Sequence, residues 1–250
     1  MKYTYDELAG MIDHSLLHPT LTDRELEDGC RLAASYRVAS VCIKPYAVRR
    51  AAELLRGTGV AVGTVVGFPH GSPGTEVKRH ETATACRDGA TEIDMVVNIG
   101  KVLSGDWDYV EQDIRAVCAE AHQGRAIVKV IFETDFLPAD EPKIRLCEIC
   151  DLAGADFVKT STGYGFVKQA DGRYNYRGAT EHDLKLMRAH TSARMRLKAA
   201  GGVRDLDALI RIRDLGVARC GMSATAAVLD EFLRRVRAEP APGGNPVASR

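Results

Sequence analysis

Residues 126–160 read AIVKVIFETDFLPADEPKIRLCEICDLAGADFVKT, and this stretch decides the fold. Two short runs rich in β-branched residues, Ala126–Phe132 and Ala155–Thr160, flank a segment, Pro138–Leu152, whose apolar residues recur at helical spacing. Strand, helix and strand in one such span form a βαβ unit, whose crossover makes the two strands parallel. Working outward, the same alternation recurs. Further strands are expected at Met11–Ser15, Val38–Ile43, Val60–Gly67, Thr91–Val97, Met195–Ala200 and Val217–Gly221. Between them, Thr22 or Asp23 can cap a helix that runs to about Tyr36, and the segment after Pro73 reads as a helix that stops at Gly89. Helices are also expected at Tyr46–Arg56, Trp107–His122, Glu181–His190, Asp205–Asp214 and Ala224–Arg237. Eight strand–helix units in about 230 residues match a (β/α)8 TIM barrel, so the expected class is α/β with a single domain over residues 1–237. An open doubly wound sheet competes on periodicity alone.

The composition agrees with one folded domain. The 250 residues are 45% apolar and 27% charged, with 34 Lys+Arg against 34 Asp+Glu. The apolar fraction excludes a disordered chain, and a zero formal charge supplies no field to hold nucleic acid or an anionic membrane. No run approaches the roughly 20 apolar residues of a membrane helix, and MKYTYDELAG lacks the apolar region of a signal peptide, so a soluble cytoplasmic protein is expected. Seven cysteines scattered without a framework suit reduced thiols. Cys147 and Cys150 form a CxxC, but its setting reads as helix and no second Cys or His pair accompanies it, so the two are expected to be small helix residues facing the core. The one break in composition is Glu239–Arg250, EPAPGGNPVASR, and a disordered tail is expected over residues 238–250. Gly163–Gly178 is too polar and too rich in Gly and Tyr for a barrel element, and is expected as a long loop on the C-terminal face, where barrels place substrate sites.

The chemistry is signalled by a charge inside each of three apolar strands: Asp94 in TEIDMVVN, Lys159 in ADFVKTSTG and Lys198 in RMRLKAAGG. A lysine in a parallel strand faces either the barrel lumen or the helix ring, and both settings are costly unless it is paired. The bland reading is a structural ion pair. The sharper one starts from where these residues lie, at the C-terminal ends of the fourth, sixth and seventh strands. A free lysine has a pKa near 10.4, so about 0.04% is neutral at pH 7; lowering the pKa to about 7 takes roughly 4 kcal/mol. Burial and a neighbouring ammonium together can supply that, and the product is an amine able to form a Schiff base with a carbonyl. Lys159 is then the nucleophile, Lys198 the depressing charge and Asp94 the proton carrier. Lys129, in the fifth strand, is the runner-up nucleophile.

A second constellation is the glycine and hydroxyl residues after strands six to eight: Thr160-Ser161-Thr162-Gly163, Gly201-Gly202 and Gly221-Met222-Ser223-Ala224. Glycine lets backbone amides approach an anion, a helix starting near Ala224 would point its positive end at the same place, and barrels often hold phosphate there. Arg204 could add a charge. Gly67–Gly74 follows a strand but lacks a nucleotide loop's Gly-Lys-Ser/Thr, so it is expected to shape the barrel mouth. His14 and His18 do not share a helical face, and no acidic metal cluster, HExxH or GxSxG occurs, so neither metal nor cofactor is expected.

Four segments in combination, Ile12-Asp13-His14-Ser15-Leu16-Leu17, Glu92–Asn98 (EIDMVVN), Phe157–Gly163 (FVKTSTG) and Lys198–Arg204 (KAAGGVR), resemble the deoxyribose-phosphate aldolase family over about residues 8–235. The resemblance implies a class I aldolase on a (β/α)8 barrel that reversibly cleaves 2-deoxy-D-ribose 5-phosphate to D-glyceraldehyde 3-phosphate and acetaldehyde. It implies Lys159 as the Schiff-base lysine, Asp94 and Lys198 as proton-transfer residues, and Gly163, Gly201, Gly202, Ser223 and Ala224 in the segments that hold phosphate. Cys42 falls where the family has a cysteine near the substrate. Partners would be the sugar phosphate and aldehydes, with assembly as a homodimer or homotetramer. The chain departs from the pattern at Met222 and Thr225, in the length of Tyr164–Arg177, and in a C-terminus without tyrosine. A different Schiff-base lyase and a non-catalytic sugar-phosphate sensor are the competing readings.

Overall fold

A computed structural model describes residues 2–238. The expected barrel strands form as β1 (Ile12–Leu16), β2 (Ser40–Ile43), β3 (Ala61–Val66), β4 (Glu92–Val96), β5 (Ile127–Ile131), β6 (Phe157–Lys159), β9 (Arg196–Ala200) and β10 (Arg219–Met222). Their lateral order is β1-β10-β9-β6-β5-β4-β3-β2, closed and parallel throughout. Closure is made by β1, which pairs with β10 in the register Ile12↔Cys220 and with β2 in the register Asp13↔Ser40. That double pairing excludes the open doubly wound sheet.

The helices are α1 (Tyr5–Ala9), α2 (Asp23–Ser35), α3 (Val48–Leu54), α4 (Thr75–Arg87), α5 (Ile99–Leu103), α6 (Trp107–Gln123), α7 (Asp140–Ala153), α8 (Glu181–Ala189), α9 (Leu206–Asp214) and α10 (Thr225–Ala238). Helix α2 begins on a capping box, in which the Thr22 hydroxyl accepts from the Glu25 amide while the Glu25 carboxylate accepts from the Thr22 amide. The segment expected as one helix from Tyr46 starts instead as a 3-10 turn, Pro45–Ala47, as is frequent at the N-terminus of an α-helix. Helices α1 and α5 are five residues each, too short to show a period, and neither is evident in the sequence pattern. Gly163–Gly178 carries a small antiparallel hairpin outside the barrel, β7 (Val167–Lys168) with β8 (Tyr174–Asn175). The last residue of α10 is Ala238; the remainder of the expected tail lies outside the described residues. No helix among the described residues is long and apolar enough to cross a membrane.

Alternation sorts each strand into two layers. On β4, Ile93 and Met95 pack outward into the apolar core shared with the helices, and on β5 Val128 and Val130 do the same. Their neighbours Glu92, Asp94 and Lys129 belong to the other face and are buried inside the barrel. Cys147 and Cys150 are both buried on α7 within the outer core, as expected.

One polar contact in the helix layer has a calculable weight. Lys78 on α4 is fully buried and donates to the Val96 carbonyl (2.9 Å) and to Asp113 Oδ2 on α6 (2.5 Å). Thr75 donates to the other Asp113 oxygen at 2.9 Å. Lys78→Met leaves that carboxylate buried with only a hydroxyl partner, so urea unfolding should show a loss of about 3–5 kcal/mol. A loss within error of zero would mean that α4 and α6 are held by their apolar contacts alone.

Candidate active site

The barrel lumen holds one continuous network of charges. Lys159 Nζ lies 2.6 Å from Asp94 Oδ2, and Lys198 Nζ lies 2.7 Å from the same oxygen. Lys198 is also 2.5 Å from Asp13 Oδ2. Lys129 reaches Asp13 Oδ2 at 2.9 Å and Glu92 Oε2 at 2.6 Å. It also stands 3.0 Å from Asp94 Oδ1, an ion pair that lacks hydrogen-bond alignment, since that oxygen accepts no hydrogen bond. Arg219 closes the lower end by donating to Asp13 and, at 2.8 Å, to Glu92 Oε1. The strand register makes this possible: Asp94 is level with Lys129, and Lys159 with Lys198, on paired strands.

The sequence reading identified Asp94, Lys159 and Lys198, and the structure brings the three together. It missed Asp13, Glu92 and Arg219 as their partners. The signal was present, since each is a charge in a strand run, but strand pairing across the closure is not readable from spacing. Lys129 is corrected from runner-up nucleophile to structural cation: it faces three carboxylates and has no free approach.

Contact with carboxylates singles out one lysine. Within ion-pair distance, Lys129 meets Asp13, Glu92 and Asp94, Lys198 meets Asp13 and Asp94, and Lys159 meets Asp94 alone, with the buried Glu133 carboxylate acting on Lys159 from farther off. A buried ammonium is costly in proportion to how poorly it is paired. Burial works against the charged form of Lys129, but Asp13, Asp94 and Glu92 override it and lift its pKa well above the ordinary value. Lys198 is raised in the same way by Asp13 and Asp94. Lys159 is lowered: burial is the larger cause, Asp94 opposes it, and Lys198 adds to it. The expected depressing charge is therefore present but secondary to burial. Burial disfavours the Asp94 anion as well, yet Lys129, Lys159 and Lys198 outweigh it and hold the carboxyl far below the carboxylate range.

Above the network opens a cleft of about 530 Å³, lined by Lys159, Lys198 and Cys42 at its charged end and by Gly163, Gly201, Gly202, Ser223 and Arg204 among its other walls. Cys42 lies 4.0 Å from Asp94, and burial with that neighbouring anion pushes its thiol up to about 11. Gly201 has φ +80, and a Cβ there would stand 2.9 Å from Gly178 Cα, so two turns meet backbone to backbone. Ala224 does not line the cleft; it precedes α10 and its carbonyl accepts from Val228. Met222 lines it, whereas Thr225 is buried behind it with its hydroxyl 2.8 Å from His14 Nδ1. His18 is engaged with Thr20, so the two histidines form no shared site. The hairpin loop supplies Tyr164, Phe166 and Tyr176 to the wall, with Tyr164 edge-on to Phe68 (5.6 Å) and Phe166 edge-on to Tyr176 (5.1 Å). No residue of the Gly67–Gly74 turn lines the cleft; Phe68 only backs its wall residue Tyr164. Outside the cleft, Asp140, His182 and Asp183 come within metal-ligating reach of one another, but Lys143 already pairs with both carboxylates at 2.9 and 2.6 Å.

A profile of the DeoC/LacD family aldolases matches residues 8–222. The chain belongs to this family. A deoxyribose-phosphate aldolase from Rhodopirellula baltica is 51% identical over 234 residues, covering 94% of this chain and 92% of that protein. One from Clostridium perfringens is 44% identical over 224 residues, covering 90% and 95%. The deoxyribose phosphate aldolase from Aeropyrum pernix, described as a unique tetramer, superposes with a TM-score of 0.81 at 28% identity, covering 92% of each chain. Three of the four segments that carried the family resemblance line the cleft, and the fourth, Glu92–Asn98, supplies Asp94 to the charge network beneath it.

Within this aldolase fold the lysines should be separable chemically. Reductive methylation with formaldehyde, read by peptide mass spectrometry, should label Lys159 near neutral pH ahead of Lys129 and Lys198. Lys198→Met removes the neighbouring cation that lowers the Lys159 pKa, so Lys159 should hold its proton to higher pH. Its half-labelling point should rise by about one unit or more. An unchanged profile would show that burial alone sets the lowered pKa.

Proposed function

We propose that the chain is a class I aldolase that reversibly cleaves 2-deoxy-D-ribose 5-phosphate to D-glyceraldehyde 3-phosphate and acetaldehyde. The observation that carries this reading is Lys159, the lysine of the buried network with a lowered pKa, at the charged end of an open cleft. As a free amine, Lys159 attacks the C1 aldehyde of the open-chain sugar. The resulting carbinolamine loses water to become an iminium. Loss of the proton from the C3 hydroxyl breaks the C2–C3 bond, releases the three-carbon aldehyde and leaves an enamine. Protonation at C2 and hydrolysis then return acetaldehyde and the free amine. Asp94, which touches both Lys159 and Lys198, and Lys198 are assigned the proton transfers, directly or through water.

The glycine turns at Gly163 and Gly201-Gly202, with Ser223, Ala224 at the start of α10 and Arg204 in the wall, are assigned to the phosphate. Support comes from three lines: the cleft lining, which holds all of these residues except Ala224, the left-handed φ of all three glycines, and a helix whose positive end begins at Thr225. No cofactor or metal enters the mechanism. Assembly as a homodimer or homotetramer belongs to the same reading and is supported by the tetramer of the Aeropyrum pernix relative. A reducing, cytoplasmic setting is supported by seven free thiols. A sugar-phosphate sensor without catalysis has no use for a lysine of lowered pKa.

Borohydride reduction in the presence of acetaldehyde should leave N-ethyl-lysine at residue 159. Lys159→Leu should abolish both the adduct and turnover. An adduct confined to Lys129 or Lys198 would overturn the assignment. Asp94→Asn should lower kcat by about a hundred- to ten-thousandfold while KM moves little, as expected for a lost proton carrier.

A further inference from the structure

The segment after β5 carries Glu133 and Asp135, neither of which lines the cleft. Glu133 is buried, and it is one of the few non-glycine residues in the left-handed region, with φ +57. Such a conformation persists only where its surroundings hold it. What holds it is visible: the carboxylate accepts the Thr162 amide at 3.1 Å and the Thr162 hydroxyl. Asp135 accepts two consecutive amides, those of Arg177 at 2.5 Å and Gly178 at 2.9 Å. Those residues are the outer support of the next turn. A Cβ on Gly178 would lie 2.6 Å from the Gly201 carbonyl carbon, and one on Gly202 would lie 3.1 Å from the Arg177 carbonyl oxygen. Two carboxylates two positions apart therefore grip both ends of the loop between β6 and α8. They fix the turn at Thr162-Gly163 directly and the turn at Gly201-Gly202 through Gly178.

We propose that Glu133 and Asp135 are positioning residues for the phosphate end of the substrate. They set the backbone geometry of the two glycine turns and thereby the preference for a 5-phosphorylated over an unphosphorylated sugar. This inference rests on the function proposed above. Neither residue touches the reacting atoms, so their effect belongs to phosphate affinity and not to bond cleavage.

Asp135→Asn turns one of the two accepting oxygens into an amide N–H donor that faces an N–H, at a partly exposed position where the fold tolerates change. Glu133→Gln is milder: its oxygen can keep the Thr162 amide, but its NH2 replaces the acceptor of the Thr162 hydroxyl, which must then accept instead of donate. Steady-state kinetics on 2-deoxyribose 5-phosphate and on 2-deoxyribose reads the difference. The expected result for Asp135→Asn is a roughly tenfold rise in KM for the phosphorylated sugar, with kcat and the kcat/KM of the unphosphorylated sugar within about twofold of wild type. Glu133→Gln should shift the same ratio in the same direction, and Asp135→Asn decides the matter if Glu133→Gln does not fold. Borohydride trapping of acetaldehyde on Lys159 should be unchanged in Asp135→Asn. Equal losses on both sugars, or an unchanged preference, would overturn the inference while leaving the aldolase assignment intact. A wild-type protein that traps no acetaldehyde and cleaves neither sugar would overturn that assignment, and this inference with it.

Discussion

Seven charges share the inside of this barrel, and none of them can be taken out of water alone. Asp13, Glu92 and Asp94 are bound to Lys129, Lys198, Arg219 and Lys159 in a chain of contacts that runs between strands on opposite sides of the lumen. A barrel of this type is ordinarily filled by layers of branched apolar side chains. Here several of those positions are ionic, and each charge is tolerated because its neighbours supply the opposite sign. The lysines share these carboxylates unequally. The least paired amine is the one whose pKa burial lowers: Lys159 contacts one carboxylate where Lys198 contacts two and Lys129 three.

The remaining structure keeps that network dry and in register. The outward faces of the strands, such as Ile93, Met95, Val128 and Val130, join the helices in an apolar layer that excludes water from one side. Buried polar contacts such as Lys78 with Asp113 lock the helices to one another without entering the lumen. On the C-terminal side, the loops after the strands leave an opening over Lys159. The division is physical: stability resides in the outer layer, and the reactive group is placed by the inner one.

Much of this was legible along the chain. The strand–helix alternation was readable because β-branched runs and helical spacing are local properties, and the eight strands fall where that pattern puts them. Asp94, Lys159 and Lys198 stood out because a charge in an apolar strand is costly without a purpose. The short helices α1 and α5 and the hairpin β7–β8 were not readable, since five or two residues carry no period. The hydrogen bonds of Glu133 and Asp135 were hidden for another reason: they cross 29 and 42 or 43 residues of chain to meet their amides.

The sequence by itself determined the class of fold, the family, and three of the charges that meet in the lumen, because these depend on residue type and local spacing. Only the tertiary structure decided which lysine is least paired. Lys129, Lys159 and Lys198 are alike in the sequence, each a lysine in an apolar strand. Barrel closure brings Asp13 and Arg219 alongside and gives the three lysines different numbers of carboxylates. The zero net charge of the chain could not show this, since a pKa is set by the groups within a few ångströms and by the water they have lost.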